Sequence, residues 1–142
     1  MSIWFKENID IEKIKGFEKN TIHELIGLEV TELKNNSISG KIPIDHRTKQ
    51  PAGILHGGAS VVLAEGLGSI ASNLIIDQSQ FYAVGQSVNA SHIRPGVHGF
   101  AHGTATPIHI GRKSHLWEIK ITNDEGKLLC VSRLTMAILP KE

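Results

Sequence analysis

The sequence predicts an α+β fold in which one long apolar helix is wrapped by a single antiparallel β-sheet. Three observations point there. The stretch from Gly57 to about Ile75 is built of small and apolar residues and carries one charge, Glu65. Two strand-like segments precede it and four follow, each closed by turn residues. No linker, repeat or low-complexity segment divides the chain, and 142 residues suffice for one domain with a real core. A helix so rich in apolar residues needs cover, and one sheet wrapped around it is the economical source.

The elements follow in order. Residues 1–26 form an N-terminal, partly helical segment of the single domain 1–142. Asn20-Thr21 is expected to cap a short helix over Thr21–Ile26, and Gly27 to end it. Strands are expected over 28–33 and 37–44, with Lys34-Asn35-Asn36 as the turn; Ile38, Ile42 and Ile44 share one face. A polar loop, Asp45–Gln50, leads to the helix over 57–75. Tyr82–Ile93, Val97–Ile110, Lys113–Thr122 and Lys127–Leu139 are the remaining strands. Arg94-Pro95-Gly96 closes the first of these, and Asn123–Gly126 turns into the last. Trp117, Ile119 and Ile121 face one way.

Hydrophobic residues make up 40% of the chain and charged residues 20%, an ordinary globular balance. The net charge of +1 leaves no nucleic-acid footprint. One cysteine, Cys130, excludes an internal disulfide and fits a reducing cytoplasm. The start, Met1–Glu7, lacks the apolar core of a signal peptide, and the run 57–76, broken by Glu65 and glycines, reads as a buried helix and not as a membrane span.

Chemistry concentrates around that helix. A lone acid among apolar residues is costly to bury ionised, the setting in which a general base or nucleophile is prepared. Ser69, at i+4 from Glu65, is placed to hold its carboxylate or an attacking water. The helix start, Ile54-Leu55-His56-Gly57, offers no Ser, Thr, Asp or Asn as a cap, so its first N–H groups are expected to lack a capping side chain. Gly57 and Gly58 let a ligand approach that backbone, where the dipole favours a developing oxyanion. A plainer reading stands beside this one. His-Gly-Gly is then a tight turn capped by water, Gln50 a surface loop residue, and Glu65, Ser69, Ser72 and Asn73 a solvent-facing stripe. His56 and Glu65 lie about 13 Å apart at the helical rise of about 1.5 Å per residue, so one carbonyl cannot touch both. If both act in one reaction, the site is shared across a two-fold interface.

The segments His46–Pro51, Leu55–Glu65, Asn89–His92, Trp117–Ile119 and Ser132–Thr135 resemble the hotdog-fold acyl-CoA thioesterases. The likeness is greatest to the branch of the 4-hydroxybenzoyl-CoA, phenylacetyl-CoA and 1,4-dihydroxy-2-naphthoyl-CoA thioesterases and the enterobactin-pathway proofreading enzyme. It spans nearly the whole chain. It implies that Glu65 is nucleophile or base and that the Gly57 N–H polarises the thioester carbonyl. Gln50 and His56 would position the thioester, and Ser69 would orient water. His92, with Gly58, would line the substrate pocket. It also implies a homodimer with a continuous sheet, paired into a homotetramer. The substrate is an acyl-CoA or acyl-carrier thioester, and no metal or other cofactor is required.

Arg94, Arg112 and Lys113 at strand ends are candidates for the phosphates of coenzyme A. His98 and His102 share a predicted strand face near His92, but no acid or cysteine completes a metal-ligand set. Two other functions compete. A hotdog hydratase would carry a His-Phe-Pro-Gly motif, absent here. A non-catalytic acyl-CoA sensor would add a further domain, for which the roughly 26 residues before the first strand are too few.

Overall fold

The computed structural model describes all 142 residues. The chain runs α1 (Ile11–Gly16), α2 (Ile22–Ile26), β1 (Glu29–Lys34), β2 (Ser37–Pro43), α3 (Gly57–Ile75), β3 (Phe81–His92), β4 (Phe100–Ile110), β5 (Ser114–Thr122) and β6 (Leu128–Pro140). The six strands make one antiparallel sheet in the order β1-β2-β4-β5-β6-β3. α3 packs across it, with contacts to five of the six strands.

The core follows from residue alternation. Ile38 and Ile42 of β2, Ala101 and Ala105 of β4, Trp117, Ile119 and Ile121 of β5, and Leu134 and Met136 of β6 are sealed from solvent. Leu63, Leu67 and Ala71 of α3 meet them, equally sealed. Each such large side chain contributes about 1.5–3 kcal/mol by leaving water. Glycines set the close approach. A Cβ at Gly68 would stand 2.4 Å from Leu134, and one at Gly40 would stand 2.8 Å from Leu67. α3 has the length and hydropathy of a membrane span, but here its apolar face is used against the sheet.

Three expectations need correction. β4 begins at Phe100 and not at Val97, because Gly99 adopts φ +73 and turns the chain. The preceding segment instead ties down neighbouring loops, with Gly96 O accepting from Leu55 N–H and Gly99 O from Ile44 N–H, each at 2.8 Å. His98 therefore lies outside the strand, and His102 pairs with Asp124 at 2.6 Å. Ser72 does not face solvent; its Oγ lies in the core, 2.8 Å from both His115 Nδ1 and Trp117 Nε1. In the N-terminal segment Gly27 closes α2 at φ +74 as expected, but the Thr21 hydroxyl donates to Glu18 O and caps nothing.

β3 is the last strand of the sheet, and its outer edge is unpaired. From Phe81 to Ser91 it carries no charge, and Phe81, Tyr82 and Val84 are exposed. A long, uncharged edge of this kind is a template for another strand.

Candidate active site

Two turns bring the loop after β2 back to the start of α3. The Asp45 carboxylate accepts from Arg47 N–H at 2.9 Å and from its guanidinium at 2.7 Å, and these bonds push the Asp45 pKa down to about 2. The Thr48 hydroxyl, buried, donates to Pro43 O at 2.6 Å. Gln50 N–H then bonds Ile54 O, and His56 N–H bonds Thr48 O, both at 2.8 Å. Gln50 is thus clamped beside the helix start. Its side-chain oxygen accepts from Ala52 N–H, which leaves the amide NH2 free to donate.

The helix start is capped after all, by a residue outside the usual capping set. His56 Nδ1 accepts the Gly58 N–H at 2.8 Å. A backbone N–H can only donate, so Nδ1 holds the lone pair and the ring proton sits on Nε2. The first-turn N–H groups are therefore not equivalent. Gly58 N–H is taken by His56, and Ala59 and Ser60 bond His56 O. Gly57 N–H has no acceptor in the protomer, and it lies at the positive end of a nineteen-residue helix. His92, at the end of β3, rests against it, since a Cβ at 57 would fall 2.7 Å from His92 Nε2. Gln50, Ile54, Gly57, Ser60, His92 and Arg94 line one cavity of about 480 Å³. His56 itself faces outward beside it.

Glu65 is elsewhere. It is half-buried, about 12 Å beyond Gly57 along the helix at the usual rise. With Ile22, His23, Val61, Val62 and Ser69 it lines a second cavity of about 240 Å³. Its carboxylate crosses the backbone of β3 at Gly85, where a Cβ would come 2.7 Å from Oε2. A register shift between Gly85 and Ser87 breaks the β3–β6 ladder there. Ser69 shares the cavity without hydrogen-bonding Glu65. Arg112 is brought to neither place. With Lys113 it borders a third cavity, about 730 Å³, beside Ile76 at the far end of α3. Two residues at the Glu65 cavity carry no sequence signal of their own. His23 lines its wall, and Glu18 hydrogen-bonds His23 Nδ1. The one trace is Gly66, a glycine in mid-helix, against which the His23 ring packs.

The model of the thioesterase superfamily matches residues 52–130, more than half of the chain. The chain belongs to that superfamily. Its sheet wrapped on one long helix is the hotdog fold, and this thioesterase superimposes on a glutamine-to-alanine mutant of a Pseudomonas aeruginosa thioesterase with a TM-score of 0.97. The two are 45% identical over 99% of this chain and 100% of that one. It is 39% identical to the 1,4-dihydroxy-2-naphthoyl-CoA hydrolase of Escherichia coli over 137 residues, 96% of this chain and 99% of the other. A Staphylococcus aureus protein has been solved as a glutamate-to-alanine mutant (TM-score 0.82, 37% identity, 84% of this chain and 99% of that one). It has also been solved, under the name thioesterase, as a glutamine-to-alanine mutant. Its two mutated positions stand fifteen residues apart, the spacing of Gln50 and Glu65 here. The chemistry of this enzyme is thioester hydrolysis.

Proposed function

We propose that this thioesterase hydrolyses acyl-CoA at a site shared by two subunits, Glu65 coming from one and the start of α3 from the other. One observation carries the proposal: the unbonded Gly57 N–H and the Glu65 carboxylate line separate cavities of the same protomer, so each alone is half a site. A two-fold axis that sets Glu65 against the other subunit's Gly57 crosses the helix pair near Val61, midway between them. Gly85 lies under Glu65 and His92 against Gly57, so the same axis crosses β3 midway, between Val88 and Asn89. The uncharged β3 edges then pair and make one continuous sheet. Pairing of such dimers into a homotetramer belongs to the same proposal.

In this arrangement the thioester carbonyl oxygen takes the Gly57 N–H, and the helix dipole stabilises the oxyanion as it forms. The Gln50 amide donates beside it, while His56 and His92 flank the thioester. Glu65 either takes a proton from a water held by Ser69 or attacks the carbonyl carbon itself. In the first route the new C–O bond forms from water. In the second an anhydride forms and water then cleaves it. Both break the C–S bond and release thiolate and free acid, and the proton lost by water ends on the thiol. Arg94 faces the coenzyme A side. A thiolate leaves readily, so the proposal requires neither a metal nor another cofactor, and the free, buried Cys130 suits a reducing cytoplasm.

The test is thiol release from a panel of acyl-CoAs and an acyl-carrier thioester, wild type beside Glu65→Ala. Hydrolysis of a CoA thioester that falls about 10²–10⁴-fold in the variant is expected. Undiminished release by Glu65→Ala removes Glu65 from the chemistry, and release from the carrier thioester alone replaces the substrate class.

A further inference from the structure

Asn73 stands about two turns beyond Glu65 on α3, on the stripe that the plainer sequence reading gives to solvent. It turns instead to β3, half-buried, with both ends of its amide engaged. Nδ2 donates to Ser69 O at 2.9 Å and to Ala83 O at 3.3 Å, and Oδ1 accepts the Ala83 N–H at 3.1 Å. A backbone N–H can only donate, which fixes the end of the amide that carries the oxygen. Ala83 pairs with Ile138 of β6, but the Ile138 N–H goes to Lys113 O on its other side. Ala83 therefore turns its own N–H and O to the free edge of β3, and Asn73 takes both, as a neighbouring strand would. No other hydrogen bond joins α3 to β3.

Two residues along the same face of β3 lies Gly85, where the Glu65 carboxylate crosses the strand. The packing of Leu63, Leu67 and Ala71 holds α3 on the sheet, but apolar contact has no direction of its own and resists sliding or rolling less sharply than a paired hydrogen bond. Resting on the reading of Glu65 as the acid of hydrolysis, we infer that Asn73 is a positioning residue. By pinning α3 to Ala83 it holds the Glu65 carboxylate over Gly85, where the acid meets the thioester seated on the other subunit's helix start. The bond to Ser69 O fixes the angle at which the amide leaves the helix.

The experiment measures kcat, KM and melting temperature for wild type, Asn73→Ala and Asn73→Asp on whichever acyl-CoA of the panel is hydrolysed. Asn73→Asp keeps the shape and an acceptor for the Ala83 N–H but has no N–H to give Ala83 O or Ser69 O, and it carries the comparison if Asn73→Ala does not fold. Both variants should lose about tenfold or more in kcat, the scale of a reacting group misplaced by about 1 Å. KM should stay at its wild-type value, because the Gly57 cavity is untouched. Single-turnover rates of Glu65→Ala and of Glu65→Ala with Asn73→Asp should be equal, because the loss runs through the acid. A wild-type kcat in Asn73→Asp overturns the inference. So does a loss that persists in full without Glu65, or one that appears in KM alone, either of which marks a merely structural role. Wild-type thiol release by Glu65→Ala instead overturns the reading of Glu65 on which the inference rests.

Discussion

His115 shows how far a single polar residue can be committed by its neighbours. The Trp117 indole N–H can only donate, so Ser72 Oγ accepts from it and shares a second hydrogen bond with His115 Nδ1. The ring is sealed in the core, and burial, with His109 adding to it, holds its pKa below the ordinary value of 6.5. The unfolded chain therefore takes up this proton first as pH falls below about 6.5, and stability declines from there downward. Urea unfolding across pH 7 to 5 should show a shallower acid decline for His115→Gln than for the wild type. Residues of this kind were poorly legible. Ser72 read as solvent-facing because a polar side chain on a helix is surface by default, and its partners come from a strand 43 residues on. His56 was misread for the opposite reason, since imidazole is not counted among capping side chains. Glu65 stands out as a lone charge in an apolar run, but the residues alone also allow a solvent-facing stripe, and it is the family resemblance that points to a catalytic role.

Individual elements were more transparent, since alternation and turn residues are local. β2, β5 and the span of α3 stand where the sequence puts them. β4 was overextended because Val97 and the residues after it fit a strand, and only the left-handed φ of Gly99 stops it. At this scale the pairing of α3 with β3 makes a sharp prediction. Gly85 sits under the Glu65 carboxylate, whose side chain is flexible, so Gly85→Ala can be absorbed by moving the acid. Thiol release should fall by about tenfold or more, as expected when a reacting group is misplaced by a fraction of an ångström to 1 Å. The melting temperature should change little. Equal activity in Gly85→Ala would mean that the carboxylate does not work from the position it holds over β3.

At the scale of the whole molecule one distance matters. Nine residues of helix separate His56 from Glu65, so if both act in one reaction the second comes from another subunit. The exposed, uncharged β3 edge supplies an independent reason for one. Glu65→Ala and His56→Ala proteins, each impaired, should regain activity when their subunits are mixed, because a heterodimer holds one intact site. Random exchange yields about half heterodimers, hence about a quarter of wild-type activity. No recovery after exchange verified by mass spectrometry would place the whole site within one subunit.

The glycines that let α3 lie close to the sheet have a cost in time. Gly66 and Gly68, in the helix interior, each weaken an isolated helix by about 1 kcal/mol relative to alanine, so α3 is a poor nucleus on its own. It can be held only by strands that have already met. β1–β2, β4–β5 and β5–β6 are local hairpins, but the two pairings that complete the sheet are distant: Ile38 with Ala105, and Phe81 with Pro140. Each requires a long loop to close before any contact rewards it. Stopped-flow refolding should therefore run in milliseconds to seconds and gain helical signal together with burial of Trp117, not ahead of it.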